Sequence, residues 1–185
     1  MSPRLRPAAE SDLPAITALY GSEVEGGTAT FETTPPSLAE MTQRFTAVQR
    51  HALPWLVAET DGRFAGYAYA SPFRARPAYR YGVEISIYIE PHARRRGVGR
   101  ALLEALIAGT RDRGLRHLIG AISDSDTSEA SIALHRAVGF RDAGVYRQVG
   151  WKFERWLDVT LMQLDLDPDG APPASPGLDL TGGLA

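Results

Sequence analysis

Apolar positions recur at two spacings along the chain, and the alternation between them predicts strands and helices in turn. Residues 4–8 make a short opening strand. Leu13, Ile16, Leu19 and Tyr20 fall on one helical face, with Ser11 as N-cap, Asp12 in the first turn and Gly21 as the stop. Residues 22–36, which include Gly26-Gly27 and Pro35-Pro36, are expected to be loop. Ser37 caps a second helix over 38–50. Strands at 55–59 and 64–70 flank Asp61-Gly62, a pair suited to the positive φ of a tight hairpin. Residues 83–89, Val-Glu-Ile-Ser-Ile-Tyr-Ile, are the strongest strand signal. Val98, Ala101, Leu102, Ala105 and Leu106 then mark the buried face of a helix over 98–113. A strand at 117–122 follows. Ser128 caps a short helix to Val138, which Gly139 stops. Strands near 142–149 and 156–166 close the pattern. No repeat is visible. The order predicts an α/β fold: a mixed sheet of six to seven strands with helices on both faces.

Length and composition bound this picture. The chain has 185 residues, 44% of them hydrophobic, enough for one domain with a core. Residues 168–185 hold four prolines and four glycines and no aromatic or basic side chain. Such a segment buries too little to offset its ordering entropy, so the expected domain is 1–167 with a tail outside it. The formal charge is -2, which argues against nucleic acid or an anionic membrane as partner. That average hides a band, since residues 72–100 carry seven arginines against Glu84 and Glu90. There is no cysteine, which excludes thiol nucleophiles, disulfides and Cys-ligated metals and accords with a cytoplasmic protein. The first residues carry no apolar stretch of a signal peptide, and no run reaches the roughly 18 apolar residues of a membrane span. His51, His92, His117 and His135 lack metal-ligand spacing, so no metal is expected.

The chemistry concentrates after the strongest strand. It runs through Glu90-Pro91-His92-Ala93 into Arg94-Arg95-Arg96-Gly97-Val98-Gly99-Arg100, where the amphipathic helix opens. Two glycines let successive N–H groups converge, and a helix N-terminus adds free donors and its positive dipole end. With four arginines beside it, this segment suits a pyrophosphate. No Walker lysine follows, and the dinucleotide GxGxxG pattern is absent. Taken alone, the string also fits a solvated basic turn.

Arg94-x-x-Gly97-x-Gly99 between strand and helix resembles the acetyl-CoA pyrophosphate loop of the Gcn5-related N-acetyltransferases. Ser128-Glu-Ala-Ser131-Ile-Ala-Leu134-His135 through Gly139-Phe140 resembles their late-helix motif. The phosphinothricin / methionine sulfoximine N-acetyltransferase branch is closer still. It is matched by Thr30-Phe31-Glu32, Tyr67-Ala68, Arg76-x-Ala78-Tyr79, Val83-Glu84-x-Ser86-x-Tyr88 and residues 150–159. The resemblance spans residues 4–166. It implies that the mixed sheet is mostly antiparallel, and it implies acetyl-CoA as co-substrate, no metal, direct transfer in a ternary complex, and a homodimer with late-strand residues near the partner's site. The acceptor it implies is a small amino acid or analogue. Another small amine, a protein N-terminus, or a non-catalytic acetyl-CoA-binding module are the alternatives. Two positions depart from the superfamily pattern: Ser128 stands for an asparagine, and His135 for a tyrosine, the latter a habit of the branch.

Acetyl transfer needs a neutral amine, a donor for the oxyanion and a proton for the leaving thiolate. The resemblance makes Glu84 the general base, and its apolar strand neighbours would raise its pKa. His135 is then either a structural polar residue or a group that protonates the thiolate or assists Glu84. The backbone of Ile87, Tyr88 and Ile89 would bind pantetheine as a neighbouring strand does. Arg94, Arg95, Arg96, Gly97, Val98, Gly99 and Arg100 would hold the diphosphate, and Ser128 and Ser131 would face the arm. Residues 72–81 carry three arginines, three aromatics and no acid. Arg74, Arg76 and Arg80 there favour an anionic acceptor, since guanidinium forks match carboxylates, unless they only solubilise the loop; the resemblance adds Tyr79 to the acceptor's contacts. Lys152 would add to them, with Phe31 and Trp156 as apolar walls.

Overall fold

The computed structural model describes residues 3–125 and 127–181. Seven strands build one sheet: β1 (Arg4–Pro7), β2 (Trp55–Thr60), β3 (Arg63–Pro72), β4 (Gly82–Ile89), β5 (His117–Ser123), β6 (Arg141–Lys152) and β7 (Arg155–Asp165). Their order is β1-β2-β3-β4-β5-β7-β6, and β4–β5 alone is parallel among the described pairings. Four helices cover it: α1 (Leu13–Gly26), α2 (Leu38–Arg50), α3 (Val98–Asp112) and α4 (Ser128–Ala137). This is the expected mixed, mostly antiparallel sheet.

Alternation along β4 sorts the layers. Ile87 and Ile89 face the start of α3, whose Val98, Leu102, Leu103 and Leu106 are buried. Tyr88 points the other way and meets Tyr20 of α1 edge-on, with ring centres 5.2 Å apart. The core therefore lies on both sides of β4, and any opening in the sheet there is walled by both layers.

Local chemistry explains most boundaries. In α2 the Ser37 hydroxyl accepts from the Glu40 N–H at 3.2 Å, and Glu40 accepts from the Ser37 N–H at 2.7 Å, a closed capping box. Asp61 and Gly62 take φ of 53° and 73° in the β2–β3 turn. Gly139, at φ 101°, stops α4 as expected.

Three expectations need correction. Ser11 does not cap α1; it lies in a 3-10 turn over Glu10–Asp12. Asp12 instead accepts from the Ala9 N–H at 2.8 Å and from both Nη atoms of Arg6 at 2.6 and 2.7 Å. Nor does Gly21 end α1. Val24, four residues past Tyr20, is buried and carries the apolar face one turn further. That burial exceeds the ~1 kcal/mol a mid-helix glycine costs. Ser128 does not cap α4 either: it is already helical, Thr127 holds the cap position, and the Ser128 hydroxyl donates to the Ser125 carbonyl at 2.8 Å.

Residues 168–181 have no regular structure but do not stand outside the fold. Leu178 is only 3% exposed and belongs to the core. Among the described residues, no helix is long and apolar enough to cross a membrane.

Candidate active site

The two central strands part company halfway along. β4 and β5 pair only from Gly82↔His117 to Ile85↔Gly120. Beyond that point β4 stays on β3 as far as Ile89, and β5 stays on β7 as far as Ser123. The inner edge of residues 86–89 is left without a neighbouring strand, and a cavity of about 330 Å³ opens in the fork. Its wall brings together Phe31, Glu84, Ile87, Tyr88, Ser131 and His135 from three separate stretches of sequence.

Glu84 sits at the last paired rungs, opposite Ser71 on β3 and Ile119 on β5. Burial pushes its carboxyl above the usual range, and the Arg74 charge pulls the other way. His135 is 2% exposed. Its Nδ1 lies 2.8 Å from the Ser131 carbonyl, an acceptor only, so Nδ1 carries the hydrogen and Nε2 is the bare nitrogen. Burial holds the imidazole below its ordinary pKa, with the Ser131 bond opposing. The neutral ring therefore accepts at Nε2, and it cannot donate there without first gaining a proton. A Cβ on Gly120 would stand 3.2 Å from Nε2, so glycine makes room for the ring against β5.

At the open end of β4 the chain turns through Pro91–Ala93 and reaches α3. Arg95 and Gly97 adopt φ of 59° and 80°, and a Cβ at Gly97 would meet nothing within 4 Å. The first helical bond runs from the Ala101 N–H to the Gly97 carbonyl at 3.1 Å. The N–H groups of Val98, Gly99 and Arg100 thus precede the helix's own acceptors. A Cβ on Gly99 would lie 3.1 Å from Leu134 Cδ2, so this glycine sets how closely α3 and α4 approach. Only the backbone of Val98 is available, because its side chain is in the core.

The arginines are less free than their sequence suggests. Arg94 pairs with Glu23, Arg96 with Asp61 and Arg100 with Glu104, each at 2.9 Å. Such exposed pairs are worth about 0–1 kcal/mol, so an incoming diphosphate can exchange them cheaply. A second cleft, about 360 Å³, runs past Glu23, Pro91 and Arg94. It shares Ala29, Ser125 and Thr127 with the first, so a groove leads from Glu84 to Pro91 and Arg94, a few residues before α3. The free strand edge, the glycine turn and this groove fit an extended acyl-CoA.

Other candidates lie elsewhere. Ser128 is outside the wall, which its neighbours Ser125 and Thr127 form instead. Ile89 faces α3. Arg74, Arg76 and Tyr79 stand beyond the cavity, in the loop between β3 and β4, where Arg74 lies over the rings of Phe73 and Tyr79. Trp156 is exposed and meets Trp151 edge-on at 5.1 Å. Lys152, the only lysine in the chain, is 5% exposed and does not line the cavity. Its ammonium donates to the carbonyls of Gly27 at 2.8 Å and Thr30 at 3.0 Å. Burial pushes its pKa down against the pull of Glu23 and Glu32. It holds the loop that carries Phe31, and Phe31 in turn lies flat against Gly150. Ser123 and Thr28 bond each other's strand and loop from the β5 side.

Sequence reasoning missed Tyr20, Tyr69, Ser86 and the Gly120–Ser123 wall. Period-2 alternation from Glu84 points at Ser86. The β5 wall carries no chemical signature, because it contributes backbone and small side chains.

Fork, groove and helix terminus define a fold and site built for acyl-CoA, and the family profile agrees: the chain belongs to the Acetyltransferase (GNAT) family, matched over residues 16–140. It is 49% identical over 163 residues to a phosphinothricin N-acetyltransferase of Alcaligenes faecalis, covering 88% of this chain and 82% of that protein. It is 42% identical to an L-methionine sulfoximine/L-methionine sulfone acetyltransferase of Pseudomonas paraeruginosa, over 94% of this chain and all of that one. The crystal structure of a phosphinothricin acetyltransferase from Sinorhizobium meliloti in complex with AcCoA superposes with a TM-score of 0.91 at 43% identity, covering 98% of each chain.

Proposed function

We propose that this chain acetylates the amine of a small anionic amino acid analogue, with phosphinothricin and methionine sulfoximine or sulfone as its acceptors. The relatives' names support this choice of acceptor. The observation that carries the chemistry is Glu84 placed where β4 and β5 separate, at the head of a groove that runs to Pro91 and Arg94.

Acetyl-CoA supplies the acetyl group as an activated thioester. Glu84, kept basic by burial, takes the proton that the amine must lose before it attacks, directly or through a water. His135 accepts at Nε2 and so holds that water or the amine in line for Glu84. An N–H on the free edge of residues 86–89 donates to the carbonyl oxygen as it gains charge. When the adduct collapses the C–S bond breaks, and CoA leaves as a thiolate that takes up the second proton lost by the nitrogen, giving the amide and the free thiol. The backbone of Val98–Arg100 binds the diphosphate, with Arg94 and Arg96 as exchangeable counter-charges. Arg74 and Arg76 face the acceptor's carboxylate and its phosphinate or sulfoximine head, beside Tyr79. Arg74 acts on Glu84 electrostatically, which supports a position at the mouth of the fork.

The homodimer is part of the same proposal. Val145, Tyr146, Val149, Trp151, Phe153 and Trp156 are all exposed on β6–β7 and its turn, an apolar face that a second copy would cover. The cytoplasm is the proposed compartment, because the co-substrate is an intracellular metabolite.

A thiol-release assay with acetyl-CoA over a panel of amines tests the assignment. Phosphinothricin and the methionine analogues are expected to outrun polyamines, aminoglycosides and alanine-initiated peptides. Faster turnover of cations or peptides would overturn the anionic acceptor. Tight acetyl-CoA binding with no turnover on any amine would point to a binding module instead.

A further inference from the structure

The C-terminal segment touches the fold at one place that matters. The loop of residues 73–81 leaves β3 at Pro72 and returns at Gly82, and its base is closed by the Phe73 N–H on the Gly82 carbonyl at 3.2 Å. Within it a 3-10 turn over Pro77–Tyr79 exposes the arginines. The loop's return limb, Arg80-Tyr81, is gripped from outside by the chain's last described residues. The Leu178 N–H donates to the Arg80 carbonyl at 2.8 Å. The Tyr81 hydroxyl donates to the Ser175 carbonyl at 3.0 Å. Ser175 Oγ donates to the Gly114 carbonyl at 2.9 Å, which ties the segment to the turn after α3. Gly177 has φ 74°, and a Cβ there would stand 2.8 Å from the Arg80 carbonyl oxygen, so the close approach requires glycine. Leu178 itself plugs into the core.

We propose that residues 171–180 form a strap that positions the acceptor loop, with Leu178 as its anchor. Every contact on the loop falls on Arg80-Tyr81, between Tyr79 and Glu84, so the strap fixes where the loop re-enters β4. Among the described residues, none of its hydrogen bonds reaches a residue of the acyl-CoA groove. A proline- and glycine-rich composition suits this task. Its prolines restrict the chain before it docks and so lower the ordering cost, and Leu178, with Leu180 beside the core, supplies the apolar anchor that the composition alone did not promise. The inference rests on the loop serving the acceptor, and the test separates the two.

In the full chain, Leu178→Ser should speed amide hydrogen exchange across residues 73–81, read by mass spectrometry, while exchange along α3 stays unchanged. The acceptor KM should rise roughly tenfold, with the acetyl-CoA KM and kcat near wild type. Leu178→Met, which keeps the plug, should restore both. Unchanged exchange at 73–81 would overturn the strap, as would an equal rise in both KM values. Faster exchange with an unchanged acceptor KM would keep the strap as a loop clamp and overturn the loop's role in acceptor binding. Arg76→Gln checks that role independently through the acceptor KM.

Discussion

Glu84 and Arg74 form the most informative pair of side chains, because burial and charge act on the carboxyl in opposite senses. A general base works only when deprotonated. The acid limb of kcat/KM should therefore lie above the ordinary glutamate range. Arg74→Gln removes the charge that holds the carboxyl down, so the limb should move to higher pH. A pH–rate profile of the two proteins checks this; a limb that stays put or moves down would separate Arg74 from the base. Glu84 was legible because a lone acid among β-branched residues on a strong strand is conspicuous. His135 was legible as a position but not as a protonation state. Its tautomer is set by a carbonyl one turn earlier, and the room for its ring by Gly120 on another strand. Lys152 was misassigned for a related reason: a cation near an anionic ligand's site is expected to reach the ligand. Whether it does depends on which carbonyls lie nearer, and those come from residues more than a hundred positions away.

At the scale of elements, the proposed function gives α3 and its approach most of the binding chemistry. Its start was legible from Gly97, Gly99 and the amphipathic run. Its tight seat on α4 was not. Gly99→Val would drive two methyls into Leu134 and push the helix N-terminus off the groove. The acetyl-CoA KM should rise roughly tenfold with the acceptor KM unchanged, since the two ligands meet different elements. Initial-rate kinetics with each substrate varied would decide it, and an effect on the acceptor alone would mislocate the diphosphate. Boundaries were legible where local bonds set them, as in the capping box of α2 and the Asp61-Gly62 turn. They were not where burial overrode propensity, as at Gly21. The β6–β7 turn falls in the gap expected between the last two strands, but its conformation was not legible. Phe153 and Glu154 both take positive φ there without glycine or asparagine, and Lys152, buried one residue earlier, helps to hold them.

Across the whole molecule, the mixed sheet with helices on both faces followed from the alternation of patterns, but the strand order and the fork between β4 and β5 did not. No residue marks it; it arises because each strand keeps its other neighbour. The far edge of the sheet is the second global feature. β6 is an exposed edge strand whose aromatic end has no cover in a single chain. Sedimentation velocity should give a dimer, and the double substitution Trp151→Glu with Trp156→Glu should give a monomer that is still folded. A wild-type monomer at micromolar concentration would overturn the dimer.

The solitary lysine has a last consequence. A thioester at millimolar levels slowly acylates any exposed amine near it, and a protein that handles such a thioester is at greater risk than most. This chain offers nineteen guanidinium groups, which do not react in that way, and one side-chain amine, which is enclosed and engaged at two carbonyls. The folded protein is thereby protected from damage by its own reagent. An acetyl mark found on Lys152 would be the signature of a molecule in which the β6–β7 hairpin had let go of the loop beneath it.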